Sequence, residues 1–249
     1  MILPRGIAMP ADRAARIAGD VPDIARLPLV RLLQLASPTL PIGAYSYSQG
    51  LEWAVEAGEI RDAPGAQAWI GDVMEWVVAP GEAAACWRLL EAARDGDWPR
   101  LATWNSWFRA TRETAELRAE TEQTGGSLLK LLHDLGLLEA SVVEVMPALA
   151  PVTQPAAYAL AARAFAVPLG DAVTAYVWSW LENQVLAAMK LVPLGQVAGQ
   201  RLLIALGANI PRAVGIAMSR DDADLSTFAP GLHLASARHE TQYTRLFRS

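Results

Sequence analysis

The sequence predicts an all-α fold: a single-domain helical bundle of about ten helices around a central apolar helix. Three observations predict it. Of 249 residues, 53% are hydrophobic and only 19% charged, enough apolar surface for one sizeable core. Alanine and leucine, both strong helix formers, recur along the whole chain. Runs of Val, Ile, Thr and aromatic residues that would suit strands are scarce.

Taken in order, residues 1–26 mix Pro, Gly, Arg and Asp without periodicity and are expected to be a mobile leader. A short apolar helix over 27–36 is stopped by Ser37-Pro38. The stretch SPTLPIGAYSYSQGLEWAVEAG, Ser37 to Gly58, then crowds hydroxyls and tyrosines at the mouth of a helix. Ser46 and Gln49 have capping-box spacing, which would start a helix running to about residue 57, with Gly58 as its left-handed stop.

A helix over 63–78 follows Asp62 as its cap and ends before Pro80-Gly81. Another covers 82–94, and the DGDWP turn separates it from one over 99–110. Residues 111–123 read as a charged helix with i,i+4 pairs Arg109–Glu113, Arg112–Glu116 and Arg118–Glu122. Gly125-Gly126 is expected to break it before a further helix over 127–135. VVEVMPALAP is too punctuated by proline for a central strand. Helices over 155–166, 171–192 and 196–218 complete the bundle, the last interrupted near Pro211.

The segment 172–192 is long and apolar enough to suggest a membrane span. Glu182, Asn183, Gln184 and Lys190 mark it instead as the buried centre of the bundle. Residues 236–249, SARHETQYTRLFRS, differ from the 27–235 bundle. Read as a helix, they put Tyr243, Leu246 and Phe247 on one face. Arg238, His239, Glu240, Arg245 and Arg248 surround them, and three arginines against one glutamate make the segment basic. It is expected to be a docking tail outside the core.

The net charge of −5 argues against nucleic acid as a partner. Cys86 is the only cysteine, which excludes an intramolecular disulfide and suits a reducing cytoplasm; the amino terminus has no secretory pattern. His133, His233 and His239 lack zinc-site spacing, so no metal site within one chain is expected. Ser46-Tyr47-Ser48-Gln49-Gly50 only brushes against a nucleophile elbow, with no strand before it. Gly125-Gly126-Ser127 is no phosphate-binding loop, since the glycine–lysine motif is absent. Glu113, Glu116, Glu120 and Glu122 carry interleaved arginines and no Glu-x-x-His partner, as on a solvated face. His239, beside Glu240, is expected to hydrogen-bond a partner surface or to touch a metal weakly. Two readings fit the loop tyrosines: interface residues, or a core-facing pair. Nothing assembles a nucleophile, a base and an oxyanion hole.

LLQLASPTLPIGAYSYSQGLEWAVEAGEI resembles the amino-terminal signature of the urease accessory protein UreF family, and LASARHETQYTRLFRS resembles its carboxyl-terminal ending. RETAELRAETEQTGGSLLKLL and KLVPLGQVAGQRLL are also similar to family segments. The resemblance covers about residues 27–249 and omits the leader. It implies an all-α, dimeric protein with no cofactor and no turnover of its own. It implies a complex with UreD (UreH in some systems) and the GTPase UreG that acts on apo-urease. With UreE as nickel donor, that complex supports lysine carbamylation and insertion of nickel. The implied role is a scaffold bridging UreD and UreG; the alternative is a GTPase-activating or GTPase-regulating protein acting on UreG. Carried over by position, residues 236–249 and the leader are the expected UreD-facing surface: Arg238, His239, Glu240, Gln242, Tyr243, Arg245, Leu246, Phe247 and Arg248. Tyr45, Ser46, Tyr47 and Ser48 are placed near the dimer or a partner, and Lys190, Gln196, Gln200 and Arg201 on the UreG side.

Overall fold

The computed structural model describes residues 26–249, so the expected leader lies, but for Arg26, outside the described residues. The described chain is all-α, with no strand among its residues. Helix α1, Leu27–Leu35, enters with Pro28 in its first turn, where the missing N–H costs nothing. A 3₁₀ turn, Ala44–Ser46, leads to the short α2, Leu51–Glu56. Gly58, at φ +78°, then turns the chain as expected.

Helix α3, Ala63–Val73, starts where Asp62 accepts the Gly65 N–H at 2.9 Å. It does not stop at Pro80-Gly81. A π-helical segment, Met74–Glu82, carries the rod into α4, Ala83–Asp95, so the two separately expected helices are one. A π turn widens the backbone ladder and absorbs the proline that would break an α-helix. A Cβ on Gly81 would lie 2.5 Å from the Ser226 carbonyl oxygen; glycine there lets a distant loop press onto the rod.

Asp97 caps α5, Trp98–Ala110, and Thr114 caps α6, Ala115–Asp134. Because α6 begins only at Ala115, Arg109 and Arg112 precede it and their expected i,i+4 pairs do not form, while Arg118 and Glu122, both inside α6, take other partners. Arg109 pairs with Glu122 at 2.6 Å, buried Arg112 reaches Glu82 at 2.5 Å, and Arg118 donates to the Arg112 carbonyl. Gly125-Gly126 does not break the helix either. A Cβ on Gly125 would meet the Val152 oxygen and the Thr153 carbonyl carbon at 2.5 Å. The glycine is there for close approach of α6 to the start of α8, Gln154–Ala164. The proline-punctuated stretch forms α7, Ala140–Leu149, with Pro147 in its last turn.

Helix α9, Leu169–Leu191, is the expected central helix. It packs on α1, α2, α3, α4 and on α10, Gln196–Gly207, and α11, Ile210–Ser219. Val173, Val177, Leu181 and Val185 form its fully buried stripe. The stretch Gln196–Ser219 has the length and hydropathy of a membrane span, yet it breaks at residues 208–209, with Pro211 in the first turn of α11. The last helix, α12, Pro230–His239, packs on α2 and α6.

Candidate functional site

The loop before α2 is built by left-handed backbone. Gly43 at φ +78° turns the chain into the 3₁₀ turn, and Gln49 at +54° precedes Gly50 at +81°. A side chain at Gly50 would lie 2.9 Å from the Ser236 nitrogen, so α2 and α12 meet there backbone to backbone. This double turn delays the helix to Leu51. Ser46 therefore caps nothing, and Ser48 Oγ accepts the Glu52 N–H at 3.2 Å instead. Gln49 is not glycine, and a left-handed φ costs it about 1 kcal/mol.

What holds Gln49 is its side chain. Its amide nitrogen donates to Glu120 Oε1 at 2.9 Å, and its amide oxygen accepts from Trp180 Nε1 at 2.9 Å and Gln184 Nε2 at 3.4 Å. One residue thus ties the loop to α6 and α9. The neighbouring tyrosines point inward. Tyr47 is buried, donating to Gln123 Oε1 at 2.7 Å, while Asn183 donates to its carbonyl. Tyr45 is half-buried, 3.4 Å from Glu182 Oε2, and burial raises its phenol pKa above the ordinary value. The core-facing reading of the loop tyrosines holds for Tyr47, and Ser48, expected near the dimer or a partner, is fully buried as well.

The tail departs further from expectation. The helix ends at His239, and the chain turns and runs back over α2, so Tyr243, Leu246 and Phe247 do not share a helical face. Phe247 is buried, with Lys190 Nζ 5.3 Å above its ring, whereas Leu246 is 65% exposed and Tyr243 fully so. The backbone N–H of Leu246 donates to Glu52 Oε1 at 2.6 Å and that of Phe247 to Oε2 at 2.8 Å. Arg248 N donates to the Ser46 carbonyl, and Ser48, by both its N–H and its hydroxyl, to the Ser249 carbonyl. Gln49 N reaches Ser249 Oγ at 3.3 Å. The tail and the loop are two edges of one seam.

His239, expected at a partner surface, is fully buried under this seam. Its Nδ1 lies 2.7 Å from Glu116 Oε2 and its Nε2 3.0 Å from Glu52 Oε2. Each ring nitrogen thus faces a carboxylate oxygen, one from α6 and one from α2. Arg245 adds a contact of 2.8 Å to Glu116, and Glu240 accepts the Ala115 N–H at 2.8 Å, at the start of α6. Arg248 reaches Gln123 Oε1 at 3.3 Å, and Gln242 donates to the Thr244 carbonyl. Arg238 is exposed. A charged side chain with two backbone donors, as at Glu52, is a strong anchor for a chain end.

Under the loop lies a cavity of about 100 Å³ lined by Tyr45, Gln49, Glu82, Arg112, Glu120, Tyr176 and Trp180 among others. Two buried polar atoms in its lining residues have no hydrogen-bond partner, Arg112 Nε and Glu120 Oε2. Burial pushes the Glu120 carboxyl up to about 8; Glu82 adds to the shift, while Gln49, Arg112 and Ser249 oppose it. Among the described residues, no group of three or more His, Cys, Asp and Glu side chains is arranged to hold a metal.

The remaining expected residues fall apart in space. Lys190 sits with the tail, while Gln196, Gln200 and Arg201 lie exposed on α10, beside exposed Val197 and Ile204. Gly199 on the opposite side lets α10 press on Met189, so the polar row faces outward. Sequence reasoning missed Gln49, Glu52, Glu116 and Glu120 as the joints of the seam. The four-residue spacing of Glu116 to Glu120, which places both on one helical face, was the available signal.

Comparisons with known proteins give the chain's family. A family model described as UreF matches residues 60–207. The chain is 56% identical over 229 residues to the urease accessory protein UreF of Azoarcus sp. (strain BH72), covering 90% of this chain and 96% of that one. It is 49% identical over 221 residues to the urease accessory protein UreF of Methylobacillus flagellatus, covering 89% and 97%. It is also 47% identical over 258 residues to the bifunctional urease accessory protein UreEF of Bordetella bronchiseptica, covering 99% of this chain and 60% of that longer one.

Proposed function

Since this chain belongs to the UreF family of urease accessory proteins, we propose that it is a non-catalytic scaffold bridging UreD and the GTPase UreG while nickel is inserted into apo-urease. The observation that carries this reading is the seam. The tail is fixed by backbone contacts to Glu52, Ser46 and Ser48, and yet it presents Tyr243 and Leu246 outward, where no part of the described chain covers them. Aromatic and aliphatic anchors held on a rigid edge are what an interface core is built from. The tail edge is the UreD side.

The exposed row Gln196, Gln200 and Arg201 on α10, with exposed Val197 and Ile204 beside it, is the UreG side. The chain works in the cytoplasm as a homodimer, and nickel is cargo of the complex. The bifunctional UreEF relative, by its name, joins UreE and UreF activities in one chain; that supports a place for this protein close to UreE.

The test is co-purification of the full chain with UreD and UreG, followed by GTP hydrolysis by UreG with and without it. A scaffold brings both partners down and leaves the rate nearly unchanged. An increase of ~10³–10⁵-fold is the signature of a supplied arginine and would replace the scaffold reading with the GTPase-activating one.

A further inference from the structure

Helix α3 and the π-helical segment that continues it place Trp69, Asp72, Val73 and Trp76 at i, i+3, i+4 and i+7. All four line one groove of about 330 Å³, and the chain from Phe228 into the first turn of α12 forms its other wall. Val73 is buried, whereas Trp76 is 63% exposed and Phe228 72%. The second wall is fixed in place. The Ser226 N–H donates to the Pro80 carbonyl at 3.2 Å, and the Phe228 N–H to Ser226 Oγ at 3.2 Å, so Phe228 is held against the rod. Rings presented on a fixed frame lose little freedom when something binds them.

The lining of the groove carries one charge. Asp72 is exposed there and makes no ion pair with any described residue. Nearby Glu75 is already taken, by Arg212 at 2.9 Å. Elsewhere the chain covers its rings with its own cations: Arg31 lies over Phe165, Arg112 over Phe108, Arg163 over Trp98 and Lys190 over Phe247. Among the described residues, no cation lies over Trp69, Trp76 or Phe228. Aromatic faces beside an unpaired carboxylate attract a cation. Arginine fits both features better than lysine, because its flat guanidinium stacks on an indole while its N–H groups meet a carboxylate in pairs. We propose that this groove docks an extended segment of a partner protein through an arginine, whose guanidinium stacks on the aromatic wall and pairs with Asp72. A small cation alone would leave Trp76 and Phe228 largely in water, whereas a segment running past Ala229, Pro230 and Gly231 covers them. The groove shares no residue with the tail edge or with the α10 row, so it is a third surface and does not depend on the roles given to those two.

The test uses the free full-length protein and three probes. The first is a short synthetic peptide of alanine and proline around one arginine. The second is the same peptide with citrulline, which keeps the shape and loses the charge. The third is arginine amide. Binding is read by NMR from the indole N–H resonances of Trp69 and Trp76, assigned with Trp69→Phe and Trp76→Phe. The arginine peptide should shift both indoles saturably and bind at least about tenfold tighter than the citrulline peptide. Asp72→Asn, a change at an exposed side chain, should keep the wild-type Tm and cut that preference about threefold or more. No shift at millimolar arginine peptide, or equal binding of the citrulline peptide, overturns the proposal. So does arginine amide binding as tightly as the peptide, which would make this a small-cation site. Shifts of the same indoles with protein concentration alone would put a second copy in the groove and overturn it as well.

Discussion

The Phe247 N–H donates to Glu52 Oε2 across 195 residues of sequence, at 2.8 Å, and by this bond the end of the chain is fastened to the first turn of α2. The same carboxylate takes the Leu246 N–H and faces His239 Nε2. Glu52→Ala would take away the partner of the buried Phe247 N–H and His239 Nε2 and of the part-buried Leu246 N–H. We expect a loss of about 3–5 kcal/mol, or roughly 10 °C in Tm for a chain of this size, read by calorimetry. Glu52→Gln keeps one acceptor oxygen and should lose about half as much.

The two faces of the tail should separate by mutation. Phe247→Ala empties a buried site and should cost about 3–4 kcal/mol. Tyr243→Ala with Leu246→Ala removes only exposed side chains and should shift stability by about 0.5 kcal/mol or less. Thermal melts of the three proteins check this. Deletion of residues 236–249 should likewise lower Tm, because it removes buried Ser236, His239 and Phe247. A tail read from sequence alone as a detachable element would have left the melt unchanged.

Gly125 and Gly126 form an internal control. Gly125→Ala drives a Cβ into the backbone at 152–154 and should destabilise by about 3 kcal/mol or more. Gly126→Ala meets open space inside a helix and should stabilise by roughly 0.5–1 kcal/mol. Urea denaturation of the pair should place them on opposite sides of the wild type.

Glu120 sets a pH window. Its carboxyl is raised in the folded state, from 4.5 to about 8, so the folded protein binds the extra proton and stability falls as pH rises through that interval. Glu120→Gln removes the dependence. The variant should match the wild type near pH 5 and exceed it increasingly towards pH 8, by at most roughly 5 kcal/mol if the seam stays closed. Urea midpoints for both proteins at half-unit pH steps measure the difference.

Much of the fold was legible because helix propensity, caps and apolar periodicity agree locally. Asp62 capped where its spacing said it would, Gly58 turned the chain, and the helix expected over 171–192 is the central helix, Leu169–Leu191. The misreadings share one cause, tertiary override of local signals. Pro80 and Gly125 are helix breakers by propensity, but a π turn absorbs the first and close packing at residues 152–154 requires the second. The site was legible as two segments, the loop and the tail, and not as one. The pairing of Glu52 with residues 246 and 247 is a contact nearly two hundred residues long, and no local pattern encodes it. For the same reason Phe247 and His239 were read as outward-facing when the seam buries them.

The central claim is that the outer edge of the tail is the surface UreD meets. The most direct measurement is capture of UreD by the immobilised full chain, comparing wild type with the Tyr243→Ala, Leu246→Ala double variant after equal melting has been established. The account predicts that the double variant keeps its Tm and loses UreD capture by about 30-fold or more, the weight of a ~2 kcal/mol anchor. Undiminished capture by a variant folded as well as the wild type would contradict it.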